Sequence, residues 1–186
     1  MKINTPPISS SAQANDILHE FFSCYHPHEA LQETEKLYHW ACKEKYYDKA
    51  APGSLLFLVD HLERLFSAAE YIYYSTGKKG LAILPASALE PPQPEHYADS
   101  GQSAAAWQYF PRHLGAAEYL NPYLVFETFA QLPLWEPVLQ ELVEYSLSKC
   151  SIEGGYPIGK LMLWKERMMA VVEAAWLVEV RGRNKE

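Results

Sequence analysis

Three ionisable side chains stand in apolar company in this sequence: Glu166, Glu173 and His61. Glu166 and Glu173 are seven residues apart in a helical segment, so they share one side of it, roughly 10 Å apart along the axis. Neither has a Lys or Arg three or four places away. The neighbours at those positions are Met162, Leu163, Met169 and Ala170 for Glu166, and Met169, Ala170, Trp176 and Leu177 for Glu173. A carboxylate so placed points to water, meets a partner on another helix, or has its pKa raised into the range used for proton transfer or metal binding. Solvation is the plainest of the three expectations. His61 falls beside Phe57, Leu65, Ala68 and Ile72 on an apolar helix flank, which suits a hydrogen-bonded core histidine better than a ligand or proton shuttle. His39 projects away from the Leu37/Tyr38 stripe and pairs with Glu35 across one turn.

No spacing commits the chain to metal or nucleophile chemistry. Bundle di-metal sites use Glu-x-x-His pairs on two helices, and here the nearest approach is a single Asp16-x-x-His19. His26-x-His28 straddles Pro27 and has no third ligand in sequence. Neither a metal nor a cofactor is therefore expected. Cys24, Cys42 and Cys150 are an odd, widely spaced set, which reads as reduced and mostly buried thiols. There is no nucleophile elbow. Gly77-Lys78-Lys79-Gly80 lacks the strand and helix that a phosphate loop needs.

The elements that must position these groups are helices. Residues 158–180 hold 16 apolar residues in 23, spread around the whole circumference, so this segment is expected to be the buried centre of a bundle. Residues 54–76 repeat Leu55, Leu58, Val59, Leu62, Leu65, Phe66, Ala69, Ile72 and Tyr73 at helical spacing; with Phe57 and Ala68 the apolar arc reaches roughly 200°. Ser54 is read as its N-cap and Gly77 as its C-cap. Shorter amphipathic helices are expected from Ser11 to before Pro27, over 27–47, over 123–131 behind Asn121-Pro122, and over 136–149. Residues 1–10 read as a draped or disordered arm, 182–186 as a tail, and the proline-rich 77–103 as a long loop with a polyproline run at 90–95. The chain is thus expected to be all-α, a single-domain bundle of five to six main helices over 11–181. A hairpin half, 11–76, and a second half, 104–181, would share one core.

A formal charge of −7 disfavours nucleic acid, which needs clustered cations. Lys43 and Lys45, Lys78 and Lys79, and the tail Arg181, Arg183, Lys185 sit at helix C-termini, where they complement the dipole. No stretch reads as a signal peptide or a membrane span, so a cytoplasmic protein is expected. Aromatic content is high, 13% with 13 Tyr and 5 Trp, and suits cores, pocket walls or interfaces.

Two functional readings follow. The first is a non-catalytic interaction or regulatory module that self-associates as a homodimer or binds another protein. Met162, Met169 and Trp176 form an i, i+7, i+14 row beside a second apolar face of Leu161, Trp164, Met168, Val171 and Ala175, and two faces need two sets of partners. The alternative is a small-molecule-binding or enzymatic bundle with an aromatic-lined pocket of several hundred Å³, into which Glu173, Glu166 or His61 would point.

Overall fold

The structure, a computed structural model, describes residues 7–43, 52–76, 111–132 and 135–183. Among the described residues there are seven α-helices and no strand: α1 Ser11–Cys24, α2 Pro27–Ala41, α3 Pro52–Thr76, α4 Ala116–Leu120, α5 Tyr123–Ala130, α6 Trp135–Leu147 and α7 Ile158–Arg183, with a 3-10 turn at Ile152–Gly154. The protein is all-α, and five of these helices have 13 residues or more. The loop 77–103, with its polyproline run, lies outside the described residues, as do positions 1–6 of the arm.

The helix ends follow local chemistry, with three departures from expectation. Ser10 caps α1 by accepting the Gln13 N–H at 3.1 Å, and Asn121 Oδ1 accepts the Tyr123 N–H at 3.3 Å at the start of α5. α2 ends at Ala41, short of the expected residue 47, because Lys43 turns left-handed with φ 61°; its ammonium donates to the Tyr145 carbonyl. α3 begins at Pro52, so Ser54 lies inside the first turn and is not the cap; a proline there forfeits no helical hydrogen bond. The cysteines are the third departure: Cys24 and Cys150 are exposed and Cys42 is half-buried. Cys24 is the last residue of α1 and Cys150 follows α6, positions where helix periodicity no longer sets burial.

α7 is the centre. It packs against α1, α2, α3, α4 and α5, while α1 lies on α3 and α2 on α6. Leu161, Trp164, Met168 to Val172, Ala174, Ala175, Leu177 and Val178 are all buried. One apolar cluster joins residues from both sides of the mid-chain loop, among them Leu18, Leu37, Leu62, Phe66, Phe126, Phe129 and Leu142. The expected sheath stops short at the N-terminal end, where Ile158, Met162 and Leu163 are 64%, 50% and 47% exposed. No helix among the described residues is long and apolar enough to cross a membrane.

Arg181, read from sequence as a tail cation, has no exposed surface. Its guanidinium donates to the Tyr119 carbonyl at 2.7 Å and the Leu120 carbonyl at 3.4 Å, and lies 5.1 Å from the Tyr119 ring centroid. It thereby ties down the carbonyl end of α4, which a five-residue helix cannot satisfy alone. Burial lowers its pKa, partly offset by Tyr119, and an arginine remains charged regardless. Arg181→Ala should lower the unfolding free energy by about 2–3 kcal/mol, read by urea denaturation, with faster amide exchange in α4.

Candidate functional site

Of the residues singled out in sequence, Glu166 and Glu173 meet at His113, while His61 lies apart on α3. Glu173 is fully buried. Its two oxygens accept the backbone N–H groups of Arg112, at 2.7 Å to Oε1, and His113, at 2.8 Å to Oε2. The solvated reading is therefore corrected: a carboxylate on α7, with no basic neighbour on its own helix, is satisfied by two adjacent amides about 60 residues earlier in the chain. Glu166, half exposed, accepts from His113 Nδ1 at 3.1 Å. Together the two carboxylates clamp residues 112–113, just ahead of α4. A His–carboxylate pair is half of a nucleophile-activating triad, but among the described residues no hydroxyl or thiol hydrogen-bonds to His113.

His61 is 6% exposed, and its Nδ1 lies 2.9 Å from the Phe57 carbonyl, one helical turn back. A carbonyl only accepts, so Nδ1 carries the proton. This is the expected core histidine. Phe57, in contrast, was placed on the apolar arc and is 52% exposed, its ring 4.1 Å from that of His61 between centroids.

The Met162, Met169, Trp176 row does not remain one surface. Met169 is buried within the chain, and Trp176 packs on Phe22 and His26 of α1 and its exit, with ring centroids at 5.2 and 6.2 Å. Only Met162 faces outward. Met169 and Trp176 thus find their partners inside the same chain.

What the sequence missed is a groove of about 610 Å³ where the end of α1 meets the starts of α2 and α3. Its walls include Tyr25, Glu29, Glu33, Ser54, Phe57 and Leu58, with Cys24 and Gln32 also lining it. Tyr25 and Phe57 lie 6.2 Å apart between centroids. Burial pushes the Tyr25 phenol up to about 12, so it stays neutral. Glu29 accepts the His26 N–H at 3.2 Å as the N-terminal box of α2, and Glu33 meets Lys36 at 2.8 Å. The groove is open to solvent and is not an enclosed cavity. Glu173, Glu166 and His61 do not line it. Among the described residues no group of three His, Cys, Asp or Glu side chains could hold a metal ion. Comparison with family models, with curated proteins and with solved structures found no match to this chain.

Two ion pairs tie elements near these sites: Glu20–Arg64, at 2.8 and 2.5 Å between α1 and α3, and Glu35–Lys165, at 2.7 Å between α2 and α7. His39 Nε2 stands off at 3.9 Å from the same Glu35 oxygen. The hydrogen bond from Arg64 holds the Glu20 carboxyl below the usual range, and that from Lys165 does the same for Glu35. Carboxyls with depressed folded-state pKa values contribute stability above their unfolded value and lose it as pH falls through the folded one. Melting temperature should therefore decline below about pH 4, and less steeply in an E20Q/E35Q double variant. Both acids are nearly half exposed, so each contributes under about 1 kcal/mol.

The Glu173 clamp gives a larger effect. Glu173→Ala leaves two amides without their acceptor and should cost about 2–4 kcal/mol by chemical denaturation, with amide exchange at Arg112 and His113 accelerated. Glu173→Gln should recover only part, because its NH2 group meets one of the two donors.

Proposed function

We propose that this chain is a non-catalytic, cytoplasmic binding module whose recognition surface is the groove between α1, α2 and α3. The observation that carries this reading is Phe57, a phenylalanine half exposed in a groove wall whereas Phe21, Phe66, Phe126 and Phe129 of the core are buried. A half-exposed phenyl ring forgoes part of the roughly 2–3 kcal/mol of full burial, and an occupant of the groove would restore it. The polar groups that would serve catalysis in an enzymatic bundle support the same reading from the other side. Glu173 is engaged by backbone amides, and His61 by the Phe57 carbonyl.

A second reading, self-association, draws support from the bare first turns of α7, where Ile158, Met162 and Leu163 are exposed. It no longer draws on Met169 or Trp176.

Two measurements test these readings. A thermal-shift screen of small metabolites should yield stabilisers whose effect is lost in Phe57→Ala and kept in Glu166→Gln; a ligand at 100 times its Kd contributes about 2.7 kcal/mol, well above the cost of removing an exposed ring. A screen in which every stabiliser survives Phe57→Ala would refute the groove. For self-association, light scattering should report about twice the 21.2 kDa chain mass, reverting to the monomer in Met162→Glu. A monomer in the parent protein at high concentration ends that reading.

A further inference from the structure

We infer that the exposed first turns of α7 pack against the same turns of a second copy of this chain, antiparallel about a two-fold axis, with Lys160 of each copy beside Glu166 of the other. This rests on the self-association reading above and gives it a geometry. The first observation is the face itself. Ile158, Met162 and Leu163 are 64%, 50% and 47% exposed, whereas Leu161 and Trp164 are buried within their own chain. At 100° per residue, Gly159 and Glu166 fall at the centre of the exposed arc, roughly 20° apart, with Ile158 and Met162 on one flank and Leu163 and Lys160 on the other. Gly159 leaves that centre bare, since a methyl group on its Cα would meet nothing within 4 Å. A glycine inside a helix forgoes roughly 0.5–1 kcal/mol relative to alanine, and what it permits in return is close approach of another backbone. No contact within the chain requires one at this position.

The second observation is charge, and it selects the direction of packing. Lys160 is exposed and makes no ion pair or side-chain hydrogen bond among the described residues. The Glu166 side chain is 56% exposed, and its contact with His113 uses Oε2, so Oε1 remains open. A parallel pair of α7 helices would set Lys160 against Lys160 and Glu166 against Glu166. An antiparallel pair centred between Met162 and Leu163 instead sets Glu166 against Gly159 of the other copy, one residue from its Lys160, and does so twice by symmetry. Each Glu166 then also meets the first turn of the facing α7, the positive end of that helix. Met162 and Leu163 come together at the axis, where the apolar surface left bare in one chain is covered. That surface amounts to roughly a few hundred Å² per chain, less than the ~800 Å² per partner of a standard stable complex, so the dimer is a reversible one that forms at high protein concentration.

Sedimentation equilibrium of the full chain across a wide concentration range tests this, and should show a monomer–dimer equilibrium in the parent. Gly159→Asp separates association from folding, because its two effects have opposite signs. An acid in place of glycine in the first turn favours the helix, so the melting temperature of the dilute monomer should hold or rise. The new carboxylate facing Glu166 of the other copy should meanwhile weaken the dimer about tenfold or more. Lys160→Glu should weaken it likewise, and the double variant K160E/E166K, which reverses both charges, should recover part of that loss. A parent chain that stays monomeric at every concentration removes the inference and the self-association reading beneath it. A parent dimer indifferent to Gly159→Asp and Lys160→Glu overturns this face and leaves self-association standing. A dimer weakened by Lys160→Glu and weakened further in the double variant overturns the antiparallel pairing.

Discussion

A helix packed on five sides cannot hydrate an acid, and α7 carries two acids within its buried length, Glu173 and Glu179, together with Arg181. Burying an ionised carboxylate without partners costs several kcal/mol, comparable to half the stability of an ordinary domain. The fold meets this cost with backbone and cross-helix donors. Two amides, worth about 1.5–3 kcal/mol each when they bond to a charged group, converge on Glu173. Glu179 is met by His19 at 3.0 Å from α1, and Arg181 by the last carbonyls of α4. Each of these bonds joins α7 to a different element, so the requirement to satisfy buried charge also fixes where residues 111–120 lie. The short α4 is held on both sides by this means, through Glu173 at the residues just before it and through Arg181 at its last two carbonyls.

The helices themselves were legible because their signal is local. Periodic Leu, Phe and Ala positions in 54–76 and the all-round apolar character of 158–180 each correspond to a helix, α3 and α7, with bounds displaced by a few residues. The fate of the ionisable residues was not legible, because it depends on what crosses them. Nothing around Glu173 in sequence announces that its partners are main-chain amides, since an amide has no residue type. Arg181 did carry a signal: it lies seven residues beyond the buried Ala174 and on the flank of Leu177 and Val178, so helical phase alone pointed it inward. The attraction of a cation to a helix C-terminus masked that phase. Trp176 illustrates the converse. The spacing of its row suggested a partner on another subunit, whereas Trp176 packs on α1 of the same chain.

The groove escaped the sequence for a related reason. Tyr25, Glu29 and Phe57 come from three elements, and each is unremarkable where it stands: an aromatic after a helix, an acid in a first turn, a phenylalanine at the edge of an apolar arc. Only the meeting of three helix ends turns them into facing walls. Helix ends are also where packing is least complete, since the ridges that interlock along helix bodies run out there. Phe57 belongs to the first two turns of α3 and is left half exposed, whereas Leu62 and Phe66, further along the same helix, are fully enclosed.

The groove is nonetheless not a loose margin of the fold. A continuous run of ring contacts leads from the central helix to its wall: Trp176 to Phe22 at 5.2 Å, Phe22 to Phe21 at 5.0 Å, Phe21 to Tyr25 at 5.5 Å, Tyr25 to Phe57 at 6.2 Å, and Phe57 to His61 at 4.1 Å. The high aromatic content therefore has a use beyond filling volume. Rings have few rotatable bonds, and a chain of them anchored on α7 holds Tyr25 and Phe57 in place before anything binds. Side chains already ordered lose little entropy on binding, and that loss is a main reason why buried contact area fails to become affinity. The central helix, by anchoring one end of this run, also sets the position of the groove wall.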